Sequence, residues 1–228
     1  MAVNNSLRSR VLGSPGSWSA RRRAQRYTWL TQTFPEFAQM SIIDLGGTVT
    51  TWQRAPVRPA HVHIVNLTGK PPADIPDWAE VDRADACALP KQIASRRYDL
   101  VYSNSVIEHV GGHDRRARFA ETVHALADAH WVQTPYRYFP IEPHWLFPGM
   151  QFMPVRARVT IARHWILGHT RRTDVRRATR IVLSTELLDR TQMRHYFPDS
   201  HIRTERYAWL PKSLIAIHGA GGEQPHGG

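Results

Sequence analysis

Asp99-Leu100-Val101-Tyr102-Ser103-Asn104-Ser105-Val106-Ile107-Glu108-His109-Val110 begins as a short apolar strand and ends in polar and ionisable groups. An apolar run bounded by turn formers suits a strand buried on both faces, as in a parallel sheet. The same form recurs on either side of it. Ser41-Ile42-Ile43-Asp44-Leu45 runs into Gly46-Gly47, and His61-Val62-His63-Ile64-Val65-Asn66 follows a Pro-containing connection. A fainter third run spans Val81 to Ala84, and His130-Trp131-Val132-Gln133-Thr134 makes a fifth. Helical periodicity separates these runs. Tyr27, Leu30 and Phe34 mark a helix over about 19–39, and Phe119, Val123, Leu126 and Ala127 mark one over 114–128 with Asp114 as N-cap. Further helices are expected over about 154–168 and 184–196. Two extended runs, His201 to Arg206 and Ser213 to His218, close the chain around a turn at Pro211. Strands alternating with helices predict an α/β fold with a doubly wound, mostly parallel sheet. The closing pair has no helix between its members, which makes one terminal strand antiparallel.

The length of 228 residues fits one such domain. Apolar residues make up 42% of the chain and include 8 Trp, 7 Tyr and 7 Phe, enough for a packed core and too many for a mostly disordered protein. Residues 1–17, rich in Ser, Gly and Arg, read as a flexible basic arm, 18–218 as a single domain with a loop insertion at about 136–180, and 219–228 as a disordered tail. The net charge of +11 by itself suggests nucleic acid or another anionic partner. Its distribution argues otherwise: residues 1–35 hold six Arg and no acid, residues 154–180 hold eight Arg and one Asp, and the rest is close to neutral. Cys87 alone permits neither an intrachain disulfide nor a Cys-based zinc site, so a reducing, cytoplasmic setting is expected. The first residues lack the apolar block of a signal peptide, and no run approaches the roughly 18 apolar residues that span a bilayer. Neither secretion nor membrane insertion is expected.

A strand ending in an acid and glycines is how an open α/β sheet presents backbone to a nucleotide-like ligand. In Ile42-Ile43-Asp44-Leu45-Gly46-Gly47-Thr48 the glycines allow close approach, and Asp44 is expected at the rim, orienting a cationic or hydrogen-bonding group. A plain structural turn is the competing reading. Asn66 ends the second strand, where a polar side chain meets ribose hydroxyls in nucleoside-binding domains. Asp85 follows the third run, ahead of an apolar turn suited to flank an adenine ring. Beyond the fourth strand His109, beside Glu108, is a candidate general base, with His113 as a second. The alternative is that the Glu-His pair only starts a helix. Thr134-Pro135-Tyr136-Arg137-Tyr138-Phe139-Pro140-Ile141-Glu142-Pro143-His144-Trp145 packs rings, an acid, an Arg and a His into one loop. Tyr136, Glu142 and His144 are its candidates for substrate contact, set against a reading as rigid scaffold. A metal site from His113, Glu142 and His144 has no recognised ligand spacing, so no metal is expected. Arg156, Arg158, Arg163, Arg171, Arg172, Arg176, Arg177 and Arg180 form either a solvated face or a site for an acidic or phosphorylated partner.

The order of these segments, from Ile42-Ile43-Asp44-Leu45-Gly46-Gly47 through Asp85 and Leu89-Pro90 to Tyr98-Asp99-Leu100-Val101-Tyr102-Ser103-Asn104-Ser105-Val106-Ile107-Glu108-His109-Val110, resembles the class I S-adenosylmethionine-dependent methyltransferases. The likeness is to their small-molecule, methyltransferase type 11-like kind and runs from about Ile42 to Ile217. The 134–144 segment is similar to a Thr-Pro-x-Arg-Tyr-Phe-Pro-x-Glu-Pro-His run in some of them. The resemblance implies a seven-stranded Rossmann-like sheet with the seventh strand antiparallel beside the fifth. It also implies S-adenosyl-L-methionine as methyl donor and a small-molecule O- or N-acceptor. On its residues, Asp44, Gly46 and Gly47 contact the methionine part, Asn66 the ribose, and Asp85 and Ala86 the adenine, while Ser103 and Asn104 line the cofactor from the fourth strand. Two departures stand out: Thr48 and Thr50 replace the second and third glycines of the family's Asp-x-Gly-x-Gly-x-Gly loop, and Asn66 replaces the usual acid. An RNA or other nucleic-acid methyltransferase is one alternative, though the fourth strand lacks the Asn/Asp-Pro-Pro-Tyr/Phe ending of many base-amine enzymes. A non-catalytic S-adenosylmethionine-binding module is another. A nicotinamide dehydrogenase is disfavoured because Gly-x-Gly-x-x-Gly is absent.

Overall fold

Ile42, Ile43 and Leu45 have no exposed surface, although neighbours along a strand point to opposite faces. A strand of this kind must be central and covered on both sides. In the computed structural model, which describes residues 18–68, 72–167 and 173–219, that strand is β1 (Ser41–Leu45). It pairs in parallel with β2 (His61–Asn66) and, on its other side, with β4 (Leu100–Asn104). β3 (Ala79–Arg83) lies beyond β2, and β5 (His130–Pro135) lies beyond β4, both parallel. A two-stranded ribbon, β6 (Ile141–Glu142) and β7 (Phe147–Pro148), stands apart. β8 (His201–Tyr207) and β9 (Leu210–His218) form a hairpin whose second strand inserts antiparallel against β5. The main sheet therefore runs β3-β2-β1-β4-β5-β9-β8, a seven-stranded, mostly parallel sheet with the antiparallel strand where the sequence implies it.

The two faces carry separate cores. On one, α1 (Trp18–Thr33) and α2 (Val49–Gln53) bring Leu30, Phe34 nearby and Trp52 onto Ile42, Ile64, Leu100, Tyr102 and Trp131. On the other, α4 (His113–Leu126) and α7 (Arg190–Tyr196) bring Phe119, Val123, Leu126 and Met193 onto Ile43, Val65, Val101 and Val132. A short α3 (Lys91–Ala94) leads into β4. A third, smaller core joins Trp145 and Met150 to Val159 and Ala162 of α5 (Val155–His164) and Ala178 and Val182 of α6 (Val175–Leu183).

Several boundaries differ from the sequence reading. The first helix ends at Thr33, just before Phe34-Pro35, since the residue preceding a proline is disfavoured in helix; only a single turn, Phe37–Gln39, remains of its expected end. α4 is capped by Gly112, with Asp114 in the first turn where the helix dipole favours an acid. The last helix starts at Arg190, fixed by a capping box between Asp189 and Gln192. Ahead of it Leu188 bridges to Tyr136. The Arg-rich stretch hides an extra helix, α6, whose N-cap Asp174 accepts from Arg177 N at 2.9 Å. The closing hairpin turns at Ala208, at φ +52, with Pro211 inside β9. The basic arm 1–17, residues 220–228 of the tail, and Arg171 and Arg172 lie outside the described residues. Among the described residues no helix is long and apolar enough to cross a membrane.

Candidate active site

Strand order reverses between β1 and β4, so the loops leaving their C-terminal ends diverge and open a crevice. Gly46 turns the chain at φ +95. A Cβ on it would stand 2.3 Å from Val106 Cγ2 across the crevice, and one on Gly47 would stand 1.6 Å from Asp44 Oδ2. Glycine is thus required at Gly46 for its dihedral and close approach, and at Gly47 for packing over a carboxylate. That carboxylate is not at the rim. Asp44 is 1% exposed, and its Oδ2 accepts from Trp52 Nε1 at 2.7 Å. Burial pushes its pKa up to about 7, with the indole hydrogen bond opposing the rise. Asp44 lies beneath the turn, its Oδ1 without a hydrogen-bond partner among the described residues.

Asn66 braces the same turn, its Nδ2 donating to Gly46 O and Gly47 O, both at 3.2 Å. Among the described residues its Oδ1 takes only a long bond from Thr68 N, at 3.4 Å. Asp85 receives Arg115 Nη2 on both oxygens, at 2.8 and 2.7 Å, and Cys87 N at 2.9 Å. Burial raises the Asp85 pKa, but the hydrogen bonds from Arg115 and Cys87 hold it below the usual range. Gly46, Asn66, Asp85, Ala86, Ser105, Val106 and His109 line one cleft of about 310 Å³, at the small end of ligand cavities. A neighbouring cleft of about 280 Å³, lined by Gly47, Thr48, Thr50 and Arg83, opens on the other side of Asn66.

Ser103 and Asn104 do not line the cleft. Strand alternation sends them to opposite faces: Ser103 is buried and donates to Leu45 O at 2.9 Å, while Asn104 Oδ1 accepts from Arg26 Nη1 of α1 at 2.9 Å. Arg26 Nε also pairs with Glu205 at 3.2 Å. Ser105 and Val106 take the expected place. Ser105 sits in the left-handed region at φ +60, held by its N–H on Gln133 O at 2.9 Å and its Oγ on Gln133 Oε1 at 3.0 Å. The sequence signal for it was the polar Asn-Ser step at which the strand has to stop.

Directly after Ser105-Val106 comes a single helical turn, Ile107–His109. Glu108 is 1% exposed, its Oε2 accepting from Thr134 Oγ1 at 3.0 Å, and burial pushes its carboxyl up to about 7. His109 faces the cleft; its Nε2 is 3.0 Å from His144 Nε2, and its Nδ1 is 3.4 Å from Thr185 Oγ1. His144 lies in the β6–β7 turn. Its Nδ1 donates to Glu142 Oε1 at 2.6 Å, while Glu142 Oε2 accepts the backbone N–H groups of His144 and Trp145, both at 2.8 Å. Trp145, 1% exposed, is anchored in the third core, which fixes the turn and hence the imidazole.

Three candidate catalytic residues, His109, Glu142 and His144, are therefore brought together. Tyr136 is not with them: it packs half-buried on the main core, edge-on to Tyr138 at 5.5 Å, and lines neither cleft beside His109. His113 turns to Tyr196 OH, 3.0 Å away, so the His113-Glu142-His144 trio is not assembled. Glu108 and Thr185, which sequence reasoning did not select, complete the cluster. Beyond Glu142 and Thr185 lies a cleft of about 250 Å³ lined also by Arg137, Gln151, Arg158 and Glu186. Within the Arg-rich run, Arg158 clips α5 to Val182 O at 3.0 Å and Thr185 O at 3.4 Å, whereas Arg156, Arg176, Arg177 and Arg180 are exposed.

No family model matches the sequence, and no curated protein matches it. Solved structures do. DhpI, solved in complex with S-adenosylhomocysteine, aligns over 96% of this chain and 96% of its own at 12% identity and a TM-score of 0.53. An S-adenosylmethionine-dependent methyltransferase from Mesorhizobium loti aligns over 83% of this chain and 95% of its own, at 18% identity and a TM-score of 0.52. The N-terminal domain of EvdMO1, crystallised with S-adenosylhomocysteine and D-fucose, aligns over 86% and 82% respectively, at 14% identity and a TM-score of 0.50. At these identities the likeness is one of fold: the chain has the fold of the class I S-adenosylmethionine-dependent methyltransferases.

Proposed function

We propose that the protein is an S-adenosylmethionine-dependent methyltransferase acting on a small-molecule O- or N-acceptor. One observation carries this reading: a single cleft at the β1/β4 switch point has the glycine turn on one wall and His109, backed by His144 and Glu142, on another. The cleft residues fit the donor. Gly46 bares backbone, Asn66 Oδ1 keeps acceptor capacity for a hydroxyl, and Ala84 and Ala86 give a narrow apolar slot. Asp85 retains one lone pair beyond those held by Arg115 and Cys87, enough for one exocyclic N–H. Bound there, S-adenosylmethionine supplies an electrophilic methyl group on a sulfonium.

The remaining work is alignment of the acceptor and disposal of its proton. His109 reaches the cleft, and the cluster behind it is the acceptor end of the site. The Arg137–Arg158 cleft adjoins that cluster through Glu142 and Thr185 and suits an acidic group on the acceptor, since Arg offers a planar fork to carboxylate or phosphate. Calorimetry with S-adenosylhomocysteine tests the reading. We expect one equivalent to bind, and Gly46→Val to abolish binding by filling the crevice against Val106. Absence of binding by the wild-type chain at about 1 mM, where even about −4 kcal/mol would register, overturns it.

A further inference from the structure

The cluster beside the cleft has the chemistry of a metal centre. One carboxylate oxygen of Glu108 and one ring nitrogen each of His109 and His144 lie within 4.8 Å of one another. The tautomer of His144 is set from behind: Nδ1 gives its proton to Glu142 Oε1 at 2.6 Å, so Nε2 presents a lone pair towards His109. A carboxylate behind an imidazole is how metal-binding histidines are oriented and made more basic. The Nε2–Nε2 distance of 3.0 Å is close to the separation of about 3.3 Å that two nitrogens take on a tetrahedral ion at about 2.0–2.1 Å.

Glu108 supplies a second, independent sign. It is 1% exposed, yet its Oε1 has no hydrogen-bond partner among the described residues, and buried carboxylate oxygens are normally satisfied. The contrast with the other cluster of similar composition, His63, Glu80 and Asp82, is instructive. There Arg96 occupies both Glu80 oxygens at 2.8 and 2.7 Å, and Tyr98 OH occupies His63 Nδ1 at 2.5 Å, so an ion-pair network already explains the grouping.

We propose that Glu108, His109 and His144 bind one divalent transition-metal ion, with Glu142 as the positioning residue for His144, and that the methyl acceptor is a hydroxyl compound that completes the coordination. Two imidazoles and one carboxylate suit Zn²⁺, and after it Fe²⁺ or Mn²⁺, rather than Mg²⁺ or Ca²⁺, which take oxygen ligands. Three protein ligands leave positions open on the side of His109 that lines the cleft. A hydroxyl on such an ion would release its proton to solvent near neutral pH, and the oxyanion left behind would form the O–CH3 bond as the S–CH3 bond of the sulfonium breaks and S-adenosylhomocysteine departs. The assignment of the acceptor rests on the methyltransferase reading; the metal site itself does not.

The test uses the full chain stripped with a chelator and then titrated with Zn²⁺ by calorimetry and with Co²⁺ by visible absorption. One equivalent of each is expected, with the d–d bands of a low-symmetry site in the Co²⁺ form. His144→Ala and Glu108→Gln should each weaken Zn²⁺ affinity by at least about 100-fold, and Glu142→Gln by about 10- to 100-fold. Each variant should keep the wild-type circular dichroism and its affinity for S-adenosylhomocysteine. A wild-type chain that binds S-adenosylhomocysteine but takes up no Zn²⁺ or Co²⁺ at about 100 μM, or binds them equally well in His144→Ala, overturns the metal site and leaves the methyltransferase reading standing. Metal uptake that depends on His144, in a chain that does not bind S-adenosylhomocysteine, supports the site and removes the acceptor assignment.

Discussion

The two walls of the cleft are made differently. The glycine-turn wall is local: β1, its turn and Asn66 hold one another within a short stretch, and its shape depends on atoms that are missing, at Gly46 and Gly47. The histidine wall is assembled from three distant segments, 107–109, 142–145 and 185, and depends on atoms that are present, above all the buried Trp145 that anchors its turn. The first wall should therefore fail when a methyl group is added, and the second when a side chain is taken away.

Gly47→Ala is the sharpest test of the first wall. Its Cβ would lie 1.6 Å from Asp44 Oδ2, and neither the buried carboxylate nor the Trp52 indole bonded to it can retreat without leaving polar groups unpaired. We expect affinity for S-adenosylhomocysteine to fall by more than about 100-fold, or about 2.7 kcal/mol, together with a clear loss of thermal stability. Gly112→Ala is the matched control, because nothing lies within 4 Å of its Cβ and its φ is −66. Equal effects from the two substitutions would contradict the steric account of the turn.

Trp145→Ala tests the second wall. Removing a buried Trp costs about 3–5 kcal/mol where the cavity cannot collapse, and here the cost falls on the core shared with α5 and α6. The expected result is loss of the Zn²⁺ uptake proposed for the histidine cluster, with S-adenosylhomocysteine affinity within about twofold of wild type, since the sheet cores do not include Trp145. A parallel loss of S-adenosylhomocysteine binding would mean that the walls are one cooperative unit.

The same contrast explains what was legible in the sequence. β1 and β4 were readable because a strand buried on both faces leaves an apolar run, β2 and β5 because Ile64-Val65 and Trp131-Val132 keep a shorter one among polar residues, and Gly46 because a glycine after a strand marks a turn. Glu108-His109 and Glu142-x-His144 were visible as chemistry-bearing residues. Their meeting was not, because it depends on where the third core places the 142–145 turn. Ser103 and Asn104 do not line the cleft for a simpler reason: the strand keeps its alternation to Asn104, so the cleft-lining position comes one residue later, at Ser105. Asp44 was put at the rim because sequence shows that an acid ends the strand but not that Trp52, eight positions on, folds back over it. α6 was concealed because its Arg residues read as a charge run, although Ala178 and Val182, buried in the third core, lie one helical turn apart within it.

Asp44 also makes the first wall sensitive to pH. Its native pKa of about 7 lies above the ordinary 3.8, so between these values the native protein keeps a proton that the unfolded chain has released. Stability then falls as pH rises through this window. At about 1.4 kcal/mol per pH unit the ceiling is about 4 kcal/mol, and a loss of about 2 kcal/mol is a fair expectation. His130 acts in the opposite sense. Burial, with His124 and His218 nearby, pushes it down to about 3 from 6.5, so the native form stays neutral while the unfolded chain takes up a proton, and stability falls as pH drops from 6.5 towards 3. Asp44→Asn removes only the first slope. Its advantage in melting temperature over wild type should be largest near about pH 8 and shrink steadily as pH falls, closing only below the ordinary 3.8; an equal shift at about pH 8 and about pH 4 would show that Asp44 does not titrate in this range.

The smallest effect concerns Ser105, where the two walls meet. A non-glycine residue at φ +60 stores about 1–2 kcal/mol of strain, and its Oγ–Gln133 bond returns about 1 kcal/mol. Ser105→Ala loses the bond and keeps the strain, so it should be less stable than wild type by about 1 kcal/mol. Ser105→Gly loses the bond and releases the strain, leaving stability near wild type, so Gly should outrank Ala here, the reverse of their order at ordinary positions. Urea midpoints of the two variants measure the difference. If the strained turn is what holds the backbone of 105–106 against the cleft, the Gly variant, although the more stable of the two, should bind S-adenosylhomocysteine the more weakly by a few fold. If stability and affinity instead rank the two variants alike, the strain at Ser105 is a by-product of ending β4 and plays no part in shaping the site.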